Sequence, residues 1–201
     1  SPDSASIGFF AGNQVKKVHI GRGAAEVLCQ RPGKSYRLGV TGTWNSRDVI
    51  LFGPADDGNL YQVDAKKGGP ATPATPATAV NKGEFHFWPS SLPDGEHYLY
   101  LSAPLLGSPE LRVGSLKGGH SLVNGAFHSN VEFAAGHLLF ARGRSLMAQP
   151  FDPESRTLAG NALTLGKEFN SEGPPMAAAF SVSSTGRLVW LPTAGNHKQL
   201  T

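Results

Sequence analysis

The sequence predicts an all-β chain arranged as a β-propeller of about five blades. Apolar runs that end in an aromatic residue recur along the 201 residues, and their last residues lie roughly 40 to 50 positions apart, the period of a blade of four short strands. The composition favours turns, with 25 Gly and 15 Pro, and no window has the 3.6-residue apolar stripe of a helix. The runs end at Phe10, Phe52, Tyr100, Phe140 and Trp190.

Each run is predicted to be the second strand of a blade, because a turn-rich segment precedes it. The clearest turn is Leu92-Pro93-Asp94-Gly95, in which Pro presets φ, Asp can bond backbone groups ahead and Gly accepts a positive φ. A third strand with period-two alternation follows, and then a short outer strand. The third strands are predicted at 15–20, 60–63, 111–113 and 146–149, and the outer strands at 25–28, 79–80, 122–123 and 162–165.

The repeat divides the chain into four near-complete units and a partial one within a single repetitive domain. The first unit lacks its innermost strand, and the last supplies only two strands, within 178–191. Because bare sheet edges invite pairing, we expect the ring to be closed by the terminal strands or by oligomerisation through the incomplete blade. The units are predicted at about 1–35, 36–80, 81–125, 126–170 and 171–201.

Several strings of the sequence resemble TolB-like propeller repeats, and above all the carboxy-terminal propeller of bacterial serine/threonine protein kinases. The resemblance covers almost the whole chain and implies a bacterial sensor or protein-interaction module with no catalytic residues to transfer. The kinase motifs themselves, the glycine-rich loop, His-Arg-Asp and Asp-Phe-Gly, do not occur in these residues. The strings are Ser1-Pro2-Asp3, 92–100, 136–140, 148–152 and 180–186.

Polar residues at the entrances of the innermost strands are the candidate site, because these strands run side by side around a central channel. Glu84, Glu132, His86 and His128 are the catalytic candidates. If the two carboxyl groups lay about 5 to 10 Å apart, they would suit the acid and base of glycoside hydrolysis. The alternative is that these residues line a wet channel, as in any propeller. Tyr36, Arg37 and Asn130 are the ligand-binding candidates, with the neighbourhood of Met176 beside them.

Metal, cofactor and serine-hydrolase chemistry receive no support from the sequence. The single Cys29 is expected to be a small, partly buried apolar residue of an outer strand. The seven histidines form no close pair with metal-ligand spacing, and no Gly-x-Ser-x-Gly motif occurs. We therefore predict no metal site and no cofactor.

The charge distribution and the low-complexity segments limit which partners and locations the sequence predicts for the protein. The net charge of +3 comes from 18 basic and 15 acidic residues that are dispersed along the chain, so nucleic-acid binding is not expected. No apolar stretch reaches membrane-spanning length and no signal peptide begins the chain. These observations leave the cellular compartment open and are compatible with an extracytoplasmic location. The Pro-Ala-Thr tract at 69–78 is predicted to be a protruding loop without regular pairing.

Three functional hypotheses follow. The first is a module that binds a protein or a small molecule, carbohydrate included, at the channel mouth. The second is a hydrolase, most plausibly a glycosidase, that uses the carboxylates and histidines there. The third is an assembly role, in which the incomplete blade forms a homo-oligomer.

Overall fold

A computed structural model describes residues 1–33, 41–53, 57–75, 83–104, 107–167, 177–183 and 186–191. Within these ranges all of the regular structure is β, with antiparallel strands in five sheets. None of the described segments forms a helix capable of spanning a bilayer. The chain divides into two compact units that differ from the predicted repeat units. We call them the first unit, Ser1–Leu122, and the second unit, Val123–Thr201.

The first unit contains three sheets whose strands follow one another in sequence order. Sheet 1 consists of β1 (Ser6–Ala11), β2 (Gln14–His19) and β3 (Arg22–Gln30). Sheet 2 consists of β4 (Thr41–Trp44), β5 (Val49–Gly53), β6 (Tyr61–Asp64) and β7 (Thr72–Pro73). Sheet 3 consists of β8 (Glu84–Ser91), β9 (His97–Pro104), β10 (Glu110–Ser115) and β11 (His120–Leu122).

The second unit contains two sheets. Sheet 4 is built from β12 (Val131–Ala134), β13 (His137–Arg142) and β14 (Ser145–Asp152), and β14 pairs with both β15 (Thr157–Leu158) and β16 (Leu163–Lys167). Sheet 5 is the hairpin of β17 (Phe180–Val182) and β18 (Leu188–Trp190). The predicted second and third strands of the first four repeat units are thus observed, as are the two strands predicted within 178–191.

Consecutive sheets within each unit stack face to face through apolar side chains. Cys29 of sheet 1 is buried against sheet 2, as its predicted apolar role requires, and Tyr100 of sheet 3 packs with Leu51 of sheet 2 and with Leu60, which precedes β6. In the second unit, Phe180 joins the cluster formed by Leu139 and its neighbours in sheet 4. Burial of these faces supplies most of the stabilisation of each unit.

One position of the predicted repeat alignment is wrong by a residue. Phe52 points back toward sheet 1, whereas Phe10 points forward toward sheet 2, so that their rings meet at 6.1 Å between centroids. Successive side chains of a strand point to opposite faces. The residue of β1 that corresponds to Phe52 is therefore Phe9.

The outer strand of sheet 2 is also placed differently from the prediction. It is formed by Thr72–Pro73 of the Pro-Ala-Thr tract, which pairs with Tyr61 and Gln62, whereas the predicted strand at 79–80 lies outside the described residues. Pro is compatible with an edge strand because its missing N–H can face solvent. The expectation of an unpaired protruding loop is thus wrong for this part of the tract, and Thr75 that follows is 1% exposed.

Hydrogen bonds between consecutive sheets measure the repeat directly. The Asn45 side-chain amide donates to the Gly95 carbonyl, 50 residues later, and the Thr41 hydroxyl accepts from the Trp88 amide, 47 residues later. In the second unit, the Asn130 side chain accepts from the Ala178 amide across 48 residues. Equivalent positions of successive sheets are therefore in contact, as the sequence period predicts.

Candidate functional site

The candidate site in the first unit lies where the β5–β6 loop meets the start of β8. The His86 amide donates to the Gly58 carbonyl at 2.9 Å. Gly58 has φ +80°, and a Cβ there would overlap the Glu84 carbonyl oxygen. Only glycine permits this close approach, which brings the polar residues of the loop against Glu84 and His86.

A chain of hydrogen bonds runs from His86 to the surface. The Thr75 hydroxyl accepts from the Leu60 amide at 3.1 Å, donates to Asn59 Oδ1 at 3.3 Å and lies 3.0 Å from His86 Nδ1. Since a hydroxyl has one proton, which goes to Asn59, His86 Nδ1 is the donor to Thr75. His86 is 0% exposed, so its Nδ1 is committed to the interior of the unit.

Asp57 ends this chain at the surface. Its Oδ2 accepts from Asn59 Nδ2 at 2.9 Å and from the Tyr61 hydroxyl at 2.8 Å. Burial acts to raise the pKa of Asp57, but the hydrogen bonds from Asn59 and Tyr61 outweigh it and lower the pKa. Burial, with the bond to Asp57, raises the pKa of Tyr61 to about 12. Asp57 is therefore an exposed carboxylate that stays ionised under neutral conditions.

Glu84 stands at the first position of β8 and is half-buried. It accepts a hydrogen bond from Ser102 Oγ at 3.2 Å. His86 pairs with Ser102 in the register of β8 and β9, so Glu84 and His86 lie on one face of sheet 3. On the same face, burial raises the pKa of Tyr100 to about 12, and Arg112 is paired with Glu110 at 2.7 Å.

The candidates of the second unit divide by exposure. His128 is exposed, whereas Asn130 is 5% exposed and its Oδ1 accepts from the Ala178 amide at 2.7 Å. Glu132 Oε2 accepts from the Val182 amide at 2.9 Å. Burial raises the pKa of Glu132, and the bond from Val182 opposes that rise. Asn130 and Glu132 thus hold the innermost strand of sheet 5 against sheet 4.

Five of the seven predicted site residues lie within the described ranges. The structure brings Glu84 and His86 together in the first unit, and it places His128, Asn130 and Glu132 along one segment of the second. Tyr36 and Arg37 lie outside the described residues, as does Met176. In the ranges that the structure describes, no group of three or more His, Cys, Asp or Glu side chains is arranged to hold a metal ion.

Sequence reasoning missed Asp57, Asn59 and Thr75. The Asp57-Gly58-Asn59 string is a turn signal, from which the tight loop that carries Asp57 and Asn59 could have been predicted. Thr75 had no signal of its own, since it lies in a low-complexity tract. Its role depends on a contact with His86 in the next sheet.

Comparison with solved structures identifies the architecture. TolB from Acinetobacter baumannii aligns with 83% of this chain at 14% identity and a TM-score of 0.57. Regucalcin from Agrobacterium tumefaciens, described as a calcium-binding protein, aligns with 94% at 15% identity and a TM-score of 0.60. A luciferin-regenerating enzyme aligns with 94% at 8% identity and a TM-score of 0.64. The chain has a β-propeller fold.

The comparisons confirm the predicted fold class and the TolB-like character of the fold. The chain spans 42% of the TolB structure, 63% of regucalcin and 65% of the luciferin-regenerating enzyme. No family model matches the sequence, and no match was found among curated proteins. The blade number and the single-domain organisation stay predictions.

Proposed function

We propose that the chain is a binding module of the propeller type, which recognises a protein or a small molecule at the ends of its innermost strands. The observation that supports it most is the state of the proposed catalytic groups. His86 is fully buried and committed to Thr75, and Glu132 holds the Val182 amide. Groups that are fixed inside a unit stabilise it and are poorly placed to transfer protons to a substrate.

Accessible polar groups remain at the same strand ends. Asp57 and His128 are exposed, and Glu84 is half-buried at the start of β8. Asp57 and Glu84 are carboxylates, and the Arg112 side chain on the same face as Glu84 is paired with Glu110. A ligand that offers hydrogen-bond donors or a cationic group, such as a sugar or a basic peptide, fits this chemistry.

Within this class, the sensor propeller of bacterial serine/threonine kinases is the finer assignment that we propose. It is supported by the strings at 92–100, 148–152 and 180–186. The structural likeness to TolB agrees with the broader propeller class. The whole protein's partners and compartment belong to this proposal.

A hydrolase is the second candidate, and one observation favours it. Burial raises the pKa of Glu132, which is the property that a general acid needs. A luciferin-regenerating enzyme is among the proteins with a similar fold. On this hypothesis Glu132 would protonate a leaving group, and Glu132→Gln would abolish turnover of chromogenic glycosides by the chain.

Amide chemical-shift mapping distinguishes the two candidates. We expect tetralysine and chitotetraose, tested separately at low salt, to shift the amides near Asp57 and Glu84 saturably for at least one probe, without turnover. Glu84→Gln should weaken that binding, whereas Glu154→Gln, on an exposed turn, should not. Turnover of glycosides that is lost in Glu132→Gln would contradict the binding module and support the hydrolase.

A further inference from the structure

Two cationic side chains and a hydroxyl lie in line at one end of sheet 4. Arg142, the last residue of β13, lies directly opposite Ser145, the first residue of β14. Ser145 in turn lies opposite Lys167, the last residue of β16. Residues that are directly opposite on antiparallel strands have their side chains on the same face, with Cβ atoms about 5 Å apart. Arg142, Ser145 and Lys167 therefore form a row across three strands, which we call the cationic row.

The charge of the cationic row is not compensated by a described carboxylate. Arg142 and Lys167 are exposed, and neither forms an ion pair with any residue in the described part of the chain. Glu132 lies on the opposite face of sheet 4. Asp152 ends β14 about 23 Å from the row, and Glu154 follows it. Since the two cations repel each other, an anion bound between them would be stabilising.

The other groups of the row are arranged to donate hydrogen bonds. Ser145 is partly exposed, and its hydroxyl makes no hydrogen bond to the residues that the structure describes. The Arg142 guanidinium lies over the Phe140 ring, with Cζ 5.4 Å from the ring centroid. A cation–π contact uses the face of the guanidinium and leaves N–H groups at its edge for a ligand. The row thus combines guanidinium, hydroxyl and ammonium donors on one face.

These donors match a phosphate monoester better than a carboxylate. A phosphate monoester has three terminal oxygens and a charge of about −1.5 to −2 at neutral pH, which balances Arg142 and Lys167 together. A carboxylate has two oxygens and a single charge, so it would leave one cation uncompensated. A guanidinium can hold two phosphate oxygens in a fork, and the third oxygen is then left for Ser145 or Lys167.

We propose that the cationic row binds the phosphoryl group of a phosphate monoester, carried either by a small molecule such as a sugar phosphate or by a phosphoserine side chain. Arg142 holds two of the phosphoryl oxygens, Ser145 donates to the group, and Lys167 balances the remaining charge. The row lies in the second unit and does not use Asp57 or Glu84. It therefore does not depend on the function proposed for those carboxylates.

The direct test follows amide chemical shifts of the 201-residue chain in about 0.1 M salt, where the Debye length is about 10 Å. Glucose 6-phosphate and capped O-phosphoserine are added separately. At least one should shift the amides of the cationic row saturably, and the tighter of the two identifies what carries the phosphoryl group. Glucose and capped serine should shift none of these amides. Capped glutamate should bind at least about tenfold more weakly than the tighter phosphate probe.

Charge-removing variants distinguish a built site from general attraction of anions. Arg142→Gln should weaken binding of the tighter probe at least about tenfold. Arg142→Lys keeps the charge but loses the fork, and should weaken it at least about threefold. Arg156→Gln is the matched control, because it removes the same charge from an exposed turn beyond the far end of β14. It should change Kd by less than about twofold.

A second variant covers the case in which Arg142→Gln does not fold, since the arginine stem covers Phe140. Lys167→Gln, at an exposed position, should then weaken binding at least about threefold. The proposal is overturned if neither phosphate probe gives saturable shifts at the cationic row of the folded chain. It is also overturned if capped glutamate binds as tightly, or if Arg156→Gln weakens binding as much as the variants of the row.

Discussion

Two contacts between consecutive sheets, one in each unit, use different chemistry at the same sequence spacing. We call the contact between sheets 2 and 3 the first-unit seam and the contact between sheets 4 and 5 the second-unit seam. Across the first-unit seam, hydroxyl groups, a side-chain amide and the Arg47–Glu96 ion pair connect residues that are 47 to 50 positions apart. In the second-unit seam, between sheets 4 and 5, Asn130 and Glu132 accept backbone N–H groups 48 and 50 residues later. The repeat therefore fixes which positions meet and leaves the bonding groups free to vary.

The difference gives the two seams opposite responses to acid. The Ser115 hydroxyl and, after it, Lys117 and Arg47 lower the pKa of Glu96 despite its burial. Burial raises the pKa of Glu132, where no cation is a cause of the shift. Acidification should thus weaken the first-unit seam and strengthen the second.

Replacing His86 should have the largest effect on the free energy of unfolding. It tests whether the first-unit seam depends on the buried hydrogen-bond chain that begins at His86. His86→Ala leaves a cavity in a fully buried place and removes one of the three hydrogen-bond partners of the Thr75 hydroxyl, and should lower the free energy of unfolding by about 3 kcal/mol. His128→Ala, at an exposed position, should stay within about 0.5 kcal/mol. Urea unfolding measures both, and equal costs would contradict the assignment.

Asn130→Ala is the corresponding change in the second-unit seam. It removes the acceptor of the Ala178 amide at a buried position and should cost about 1 to 3 kcal/mol. Asn124→Ala, on an exposed residue nearby in sequence, is the matched control. A loss no greater than the control's would show that the Ala178 amide does not depend on Asn130.

Glu132→Gln should change the pH dependence more than the bonding. Because the pKa of Glu132 is higher in the folded state than its ordinary value of 4.5, the folded state binds more protons between these two values, and stability falls as pH rises through that window. Gln keeps an acceptor for Val182 and should remove this slope. Urea unfolding at pH 4 to 8 would reveal it, and an unchanged slope in the variant would count against the prediction.

Glu96→Gln should have the smallest effect and the opposite sign. The lowered pKa of Glu96 means that its stabilisation is present above the ordinary value of 4.5 and is lost as pH falls toward the folded value. The effect is small because the Arg47 and Lys117 side chains are 50% and 80% exposed. Urea unfolding of the wild-type chain and of Glu96→Gln, compared between pH 3 and 6, tests this prediction. It would be contradicted if the wild-type chain became more stable relative to the variant on acidification.

The sequence predicted what depends on period and turn chemistry, and it failed where contacts cross between sheets. The Leu92 to Gly95 turn and the strand after it were predictable because their signals are local. Phe10 was aligned with Phe52, one residue out of step with the structure, because Phe9 and Phe10 are adjacent aromatic residues and either can end the run. The sequence placed Glu84 and His86 on an innermost strand, where β8 lies, but the hydrogen bonds of His86 to Thr75 and of Glu132 to Val182 depend on contacts with the neighbouring sheet.

The most direct measurement is hydrogen exchange at the Ala178 and Val182 amides in single variants. The account holds that side chains of one sheet bind the backbone of the next, one repeat later. Asn130→Ala should therefore speed exchange chiefly at Ala178, and Glu132→Ala chiefly at Val182, while Glu132→Gln preserves protection. Unchanged exchange at both amides in folded alanine variants would contradict it.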